Sequence, residues 1–270
     1  MHADYSIREL CAALAVSRSG SHAWEERPPG PRAQADAILL PLIGQAHQES
    51  RQTYGSPRIM RWLRERGRRC GRGRIARLMR AHGWRSHIKR RYRPSLTDSN
   101  HDLPIAPNRL RDAVWVADIT YVDTGEGWLY VAGVLDRCTR RCIGWAMGDT
   151  LATTLPLAAL NMALTQRRPS GGLVHHSDRG VQYASVAYRQ RLAQAGVIPS
   201  MSRRGNCYDN AAMESFWSSL KRELVHRTQF ATRAQARAAI FEWIEIFYNR
   251  QRLHSALDYK SPVDFETQLN

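Results

Sequence analysis

Three carboxylates carry the chemistry that this chain could do. Asp118 interrupts the apolar run WVADITYV (115–122), Asp178 follows a short strand-like run in HHSDRGVQY (175–183), and Glu214 lies in the helix-like stretch NAAMESFWSSLKRE (210–223). Fifty-nine residues separate the first two acids and 35 the last two, so only a folded sheet brings them together. A carboxylate inside an apolar strand is costly unless it is paired or bound to metal. Three converging carboxylates make a hard oxygen site suited to Mg²⁺. Two of the acids also have plainer explanations: an edge-strand or salt-bridged residue for Asp118, and a turn or helix cap for Asp178. Asp136, Asp149 and Glu223 fit turns or exposed helix faces better, with Asp136, at the end of another strand-like run, as the strongest reserve ligand.

The elements around these acids read as mixed α/β. VWVADITYV is rich in β-branched and aromatic residues, DTGEG (123–127) signals a turn, and WLYVAGVLD (128–136) and RCIGWAMG (141–148) continue as strands. Short connections allow an antiparallel meander. A helix at 153–168, a strand at 173–177, a helix at 185–195, a short strand at 197–201 and the Glu214 helix follow, and strands separated by helices imply parallel crossovers. In an extended strand His176 shares the face of Asp178 and His175 faces away; His176 is a candidate to support the site from behind, though a core or surface role serves as well. Lys221 stands two helical turns beyond Glu214 on a similar face, within reach of a phosphate if it is not simply solvated. A last helix, 232–249, carries an apolar stripe at Ala236, Ile240, Trp243, Ile244 and Phe247 that suits core packing.

Charge is the second signal. Forty Lys plus Arg stand against 24 Asp plus Glu, a net +16, and residues 51–93 hold 16 basic residues and one acid, Glu65. The excess is local, as expected of a module that grips a polyanion. Within it, SPRIMRWLRERG (56–67) and RGRIARLMRAHG (72–83) show helical apolar spacing, Ser56 is a candidate cap, and Gly67 and Gly83 mark helix ends. Two short helices and a tight turn match a helix-turn-helix. Arg58, Arg61, Arg72, Arg74, Arg77, Lys89, Arg90 and Arg91 are its candidate DNA contacts, with Arg74, Arg77 and Arg80 expected to face outward. A smaller helical head spans 6–28, turning near Val16 and Ser17, and a Pro-rich linker is expected over 93–110.

Composition excludes some classes. No apolar stretch approaches the roughly 20 residues of a spanning helix, and MHADYSIREL does not read as a signal peptide. Five cysteines, with only Cys138 and Cys142 close together, suggest reduced thiols and a cytoplasmic protein rather than a disulfide framework or zinc site.

The Asp118 run, HHSDRGVQY, YDNAAMESFWSSLK (208–221) and YNRQRLHSALDYKSPVDFE (248–266), in that order, together with the basic helical region, resemble the OrfB product of a bacterial insertion sequence. That family is a DDE transposase with a retroviral-integrase-like core. The resemblance implies an α/β fold: a ribonuclease-H-like catalytic core, a mixed five-stranded sheet with flanking helices, behind a small all-α helix-turn-helix DNA-binding region. The expected division is a head at 1–30, the basic domain at 33–92, a linker at 93–110 and the core with a C-terminal helical segment at 111–270. It implies two Mg²⁺ ions (Mn²⁺ substituting) held by Asp118, Asp178 and Glu214, with Lys221 and Arg179 near DNA phosphate. Its expected activity is cleavage at the element's terminal inverted repeats and 3′-hydroxyl strand transfer into target DNA. Expected partners are DNA, an OrfA protein or an OrfA fusion, and further copies of the chain on DNA, nucleoid-associated and without a membrane. A nuclease that cuts without joining, or a non-catalytic DNA binder, are the alternatives.

Overall fold

The computed structural model describes residues 6–87, 114–169, 171–178, 180–201 and 211–269. Lys89, Arg90, Arg91, the 93–110 linker, Arg179, Cys207 and the residues before the Glu214 helix lie outside them.

The head is two short helices, α1 (Ile7–Ala13) and α2 (Arg18–Glu25). Ser6 and Glu9 form a reciprocal capping box at the first, and Ser17 caps the second. A 19-residue helix, α3 (Pro31–Glu49), follows, which the sequence reading did not foresee. It lays Leu39, Ile43 and Ala46 against α4 (Ser56–Glu65) and α5 (Arg72–Ala81), which contribute Ile59, Leu63, Ile75 and Leu78. Trp62 closes this core, its indole N–H donating to Glu49 at 3.1 Å. Ser56 is the first helical residue of α4 rather than its cap: Gly55 holds the cap position and Pro57 the first turn. Gly67 and Gly83 end α4 and α5 at φ +73° and +68°, conformations that glycine adopts without steric cost.

The second unit is a five-stranded sheet in the order β3-β2-β1-β4-β5. Strands β1 (Val114–Val122), β2 (Leu129–Asp136) and β3 (Cys142–Gly148) form the antiparallel meander. Helix α6 (Thr154–Arg167) crosses to β4 (Val174–Ser177), parallel to β1. Helices α7 (Val181–Ala184) and α8 (Val186–Gln194) lead to β5 (Ile198–Met201), parallel to β4.

Period-2 alternation sends β1 side chains to two separate cores. Val114, Val116 and Val122 pack with Met213, Phe216 and Leu220 of α9 (Ala211–Glu223), and with α10 (Arg233–Glu242) and the π-helical stretch Trp243–Gln251 that continues it. Trp115 and Ala117 pack with α6 and α8 on the opposite face. The apolar stripe of the last long helix is buried as expected.

The C-terminal segment joins the two units and ends in α11 (Pro262–Thr267). Asn249 braces β3 by accepting from the Cys142 amide at 3.0 Å and donating to its carbonyl at 2.9 Å. Leu253 packs into the helical core, and its amide donates to the Tyr54 hydroxyl at 2.7 Å. Glu223, expected on an exposed helix face, is buried instead. Arg252 donates to both its oxygens, with Nε at 3.0 Å from each and Nη2 at 2.8 Å from Oε1.

Candidate nucleic-acid-processing site

Asp118 lies on the central strand β1, paired across to Gly133 of β2. The β1–β4 pairing ends at Val116 and His176, each two residues before an aspartate, so Asp118 and Asp178 follow the same end of the ladder. Both aspartates line one open cavity of about 180 Å³, together with Tyr121, Gln182 and Tyr183. Asp118 Oδ1 accepts from the Ile119 amide at 2.8 Å and Asp178 Oδ1 from the Gly180 amide at 2.9 Å. These backbone bonds orient the carboxyl groups from behind.

The electrostatics are those of an unmatched acidic site. Burial pushes the Asp118 carboxyl up to about 6; the Ile119 amide pulls it back, while the charges of Asp178 and, more weakly, Glu214 raise it further. No Lys, Arg or His among the described residues forms an ion pair with any of the three acids. The donor set, anionic oxygens with no ion pair among the described residues, suits a hard divalent metal.

Glu214 departs from the expected convergence. It sits in the first turn of α9, exposed, and does not line the cavity. Among the described residues no three His, Cys, Asp or Glu side chains stand close enough to hold one ion. An exposed first-turn glutamate has solvent around it, whereas the two aspartates are each held by a backbone amide. Its charge still acts on Asp118.

Trp217, one turn beyond Glu214, is a site residue that the sequence reading missed. Its ring lies over Gly133, where a Cβ would stand 3.0 Å from the indole Cη2. Gly133 therefore makes room for a tryptophan beside Asp118. The indole N–H is near enough to hold the Asp118 carboxyl down, yet makes no hydrogen bond of good geometry and stays buried without a partner. Tyr183 is similar: its hydroxyl is buried and unpaired, and burial with the nearby aspartates keeps it protonated.

His176 is half-buried, with Nδ1 2.9 Å from Ser200 Oγ. His175 is buried against the Tyr188 hydroxyl at 3.0 Å, and burial lowers it to about 4, so it is neutral. Lys221 places Nζ 4.9 Å from the centroid of the Tyr121 ring, at the rim of the cavity. Asp136 caps a turn, accepting from the Cys138 and Thr139 amides, as its plainer reading anticipated.

The basic helices divide into two sets. Arg74 and Arg77, expected to face outward freely, both pair with Asp36 of α3, Arg74 at 2.6 Å. Arg61 pairs with Asp258 at 3.2 Å, and Arg58 is half-buried over the Tyr54 ring. Arg64, Arg68, Arg69, Arg72 and Arg80 are exposed and pair with no described carboxylate. Only Arg72 of these was among the candidate contacts. Partners 38 and 41 residues away in sequence gave no local signal of the division.

The sheet, with paired aspartates on adjacent central strands, defines an integrase-type core joined to a helix-turn-helix unit. Family models agree: integrase core domains match residues 109–207 and 195–262, and an HTH-like domain matches 33–92. The chain is 47% identical to the insertion element IS600 uncharacterized 31 kDa protein of Shigella sonnei, over 97% of this chain and 98% of that one. It is 37% identical to the transposase InsF for insertion sequence IS3A of Escherichia coli K12, over 98% and 96%. The chain belongs to this family of insertion-sequence transposases. Among solved structures it resembles the HTLV-2 integrase catalytic core domain in complex with magnesium, at 11% identity and a TM-score of 0.43 over 57% of this chain and 95% of that one. No described helix is long and apolar enough to cross a membrane.

Proposed function

We propose that the protein cleaves phosphodiester bonds at the terminal inverted repeats of its element and joins the freed 3′-hydroxyls to target DNA. The observation that carries this reading is a half-buried aspartate, Asp118, beside a second one, Asp178, in an open cavity, with no ion pair to either among the described residues. Asp118 and Asp178 would hold Mg²⁺ or Mn²⁺, and Glu214 would complete the site by turning inward. Two such ions, when bound, activate the attacking oxygen and stabilise the departing 3′-oxygen of an in-line displacement.

The chain's own residues do the rest. The backbone bonds to Asp118 and Asp178 fix the carboxylates before DNA arrives. Lys221 at the cavity rim holds a backbone phosphate, and Arg179, next to Asp178 in the chain, is the candidate for a second phosphate contact. His176 supports the strand end that carries Asp178. The exposed Arg64, Arg68, Arg69, Arg72 and Arg80 bind phosphates of the terminal repeat by counterion release, extended by Lys89, Arg90 and Arg91. Arg58, Arg74 and Arg77 chiefly hold the helical unit together, and Arg61 ties it to Asp258 of the C-terminal segment. An OrfA protein and further copies of this chain would complete the assembly on DNA.

Incubation with labelled oligonucleotides carrying the element's ends, in Mg²⁺, should give joined products longer than the substrate. Asp118→Asn and Glu214→Gln should each abolish them. Undiminished joining by either variant overturns the assignment; only shortened strands from the parent protein would make it a nuclease.

A further inference from the structure

Beside the cavity, two large aromatic side chains stand in solvent. Tyr121, at the end of β1, is 54% exposed and Trp128, at the start of β2, is 48% exposed. Their rings meet edge-on, 4.9 Å between centroids at 80°. Tyr121 is also a wall of the cavity that holds Asp118 and Asp178. Lys221 stands over the Tyr121 ring. Stability alone gives no reason to expose this much ring surface on a hairpin.

The hairpin beneath the rings is held rigid. The Gly125 amide donates to the Phe230 carbonyl at 2.9 Å, and a Cβ at Gly125 would come within 2.6 Å of the Ala231 carbonyl oxygen. The Arg233 amide donates to Glu126 at 2.8 Å and its Nε to the Trp128 carbonyl at 3.1 Å. The backbone that carries the two rings is thus held in place before anything binds.

We propose that Tyr121 and Trp128 form a stacking platform for one unpaired base of the DNA end, next to the phosphate that reacts at the aspartates. Aromatic faces take any base, and a lysine beside them takes the phosphate of the same nucleotide. Tyr121 lines the same cavity as the two aspartates, so a base that leaves the stack at a DNA end can rest on the platform while its phosphate lies at the carboxylates. This rests on the DNA-joining reading for what brings a DNA end to the cavity; the aromatic geometry is independent of it.

The test compares two probes with the full chain in Ca²⁺: a short duplex with unpaired thymidines at one end and 2-aminopurine among them, and the same duplex blunt. The parent protein should quench the 2-aminopurine as it stacks. Tyr121→Ala and Trp128→Ala should leave it bright and weaken binding to the tailed probe roughly tenfold, the change that about 1.4 kcal/mol of lost stacking gives. Blunt binding should change less than about twofold, and Tyr121→Phe and Trp128→Phe should behave as the parent. Lack of quenching by the parent protein, or equal loss on both probes, overturns the platform. Joining assays in Mg²⁺ with the same proteins separate the two readings: quenching without any joining retains the platform and refutes the transposase chemistry, and joining without quenching does the reverse.

Discussion

Glu223 is buried and Asp118 half-buried in the same α/β core, and their surroundings are opposite. Glu223 is 2% exposed and matched: the Arg252 guanidinium holds both its oxygens and also donates to Ser219 Oγ at 3.2 Å. Asp118 shares its cavity with Asp178, feels the charge of Glu214, and makes no ion pair among the described residues. A matched buried charge joins elements of the fold, here α9 to the segment that reaches the helical unit. An unmatched one is a cost to folding that function must explain.

The largest effect that sharpens this contrast is on activity. Asp118→Asn should lower strand transfer by roughly a thousandfold or more while leaving the metal-free fold as stable or more stable, because it removes a buried, repelled charge. Joining assays and denaturant melts check the two halves. Arg252→Met should do the reverse, destabilising the protein by about 3–5 kcal/mol in denaturant melts because it strands a buried carboxylate. Activity per folded molecule should persist.

A pH titration separates the two acids further. The Asp118 carboxyl is raised from 3.8 to about 6 in the fold. Between those values the folded chain binds more protons than the unfolded one. Metal-free stability should therefore fall as pH rises through the window, by up to about 3 kcal/mol, and level off above it. Melts of Asp118→Asn in chelator should lack that slope. Gly133→Ala crowds Trp217 beside Asp118 and should cost about 1–3 kcal/mol in melts. The smallest effects lie in the basic helices. Arg64→Gln or Arg69→Gln should each lower the salt slope of DNA binding by about 1, and Arg74→Gln by less, its charge being neutralised by Asp36.

Much of this was legible in the sequence because it is local. The apolar alternation of β1 and β2, the turn at 123–127, the glycines ending α4 and α5, and the stripe from Ala236 to Phe247 each follow from neighbours in the chain. The paired aspartates were legible through the unusual placement of Asp118 in an apolar strand. What escaped depends on distant partners. Glu223 reads as a surface acid until Arg252, 29 residues on, covers it, and Arg74 reads as a free cation until α3 brings Asp36 to it. Gly133 reads as a weak strand residue until the Trp217 ring fills its space. Helix α3 was missed because Pro41 interrupts its interior and alanine blurs its apolar stripe.

The most direct test of the unmatched site is Mn²⁺ binding, followed by electron paramagnetic resonance on the protein with a DNA end. The parent protein and Glu223→Gln should bind the ion, and Asp118→Asn and Asp178→Asn should lose it. No bound Mn²⁺ in the parent protein, or binding indifferent to the loss of both aspartates, would contradict the account.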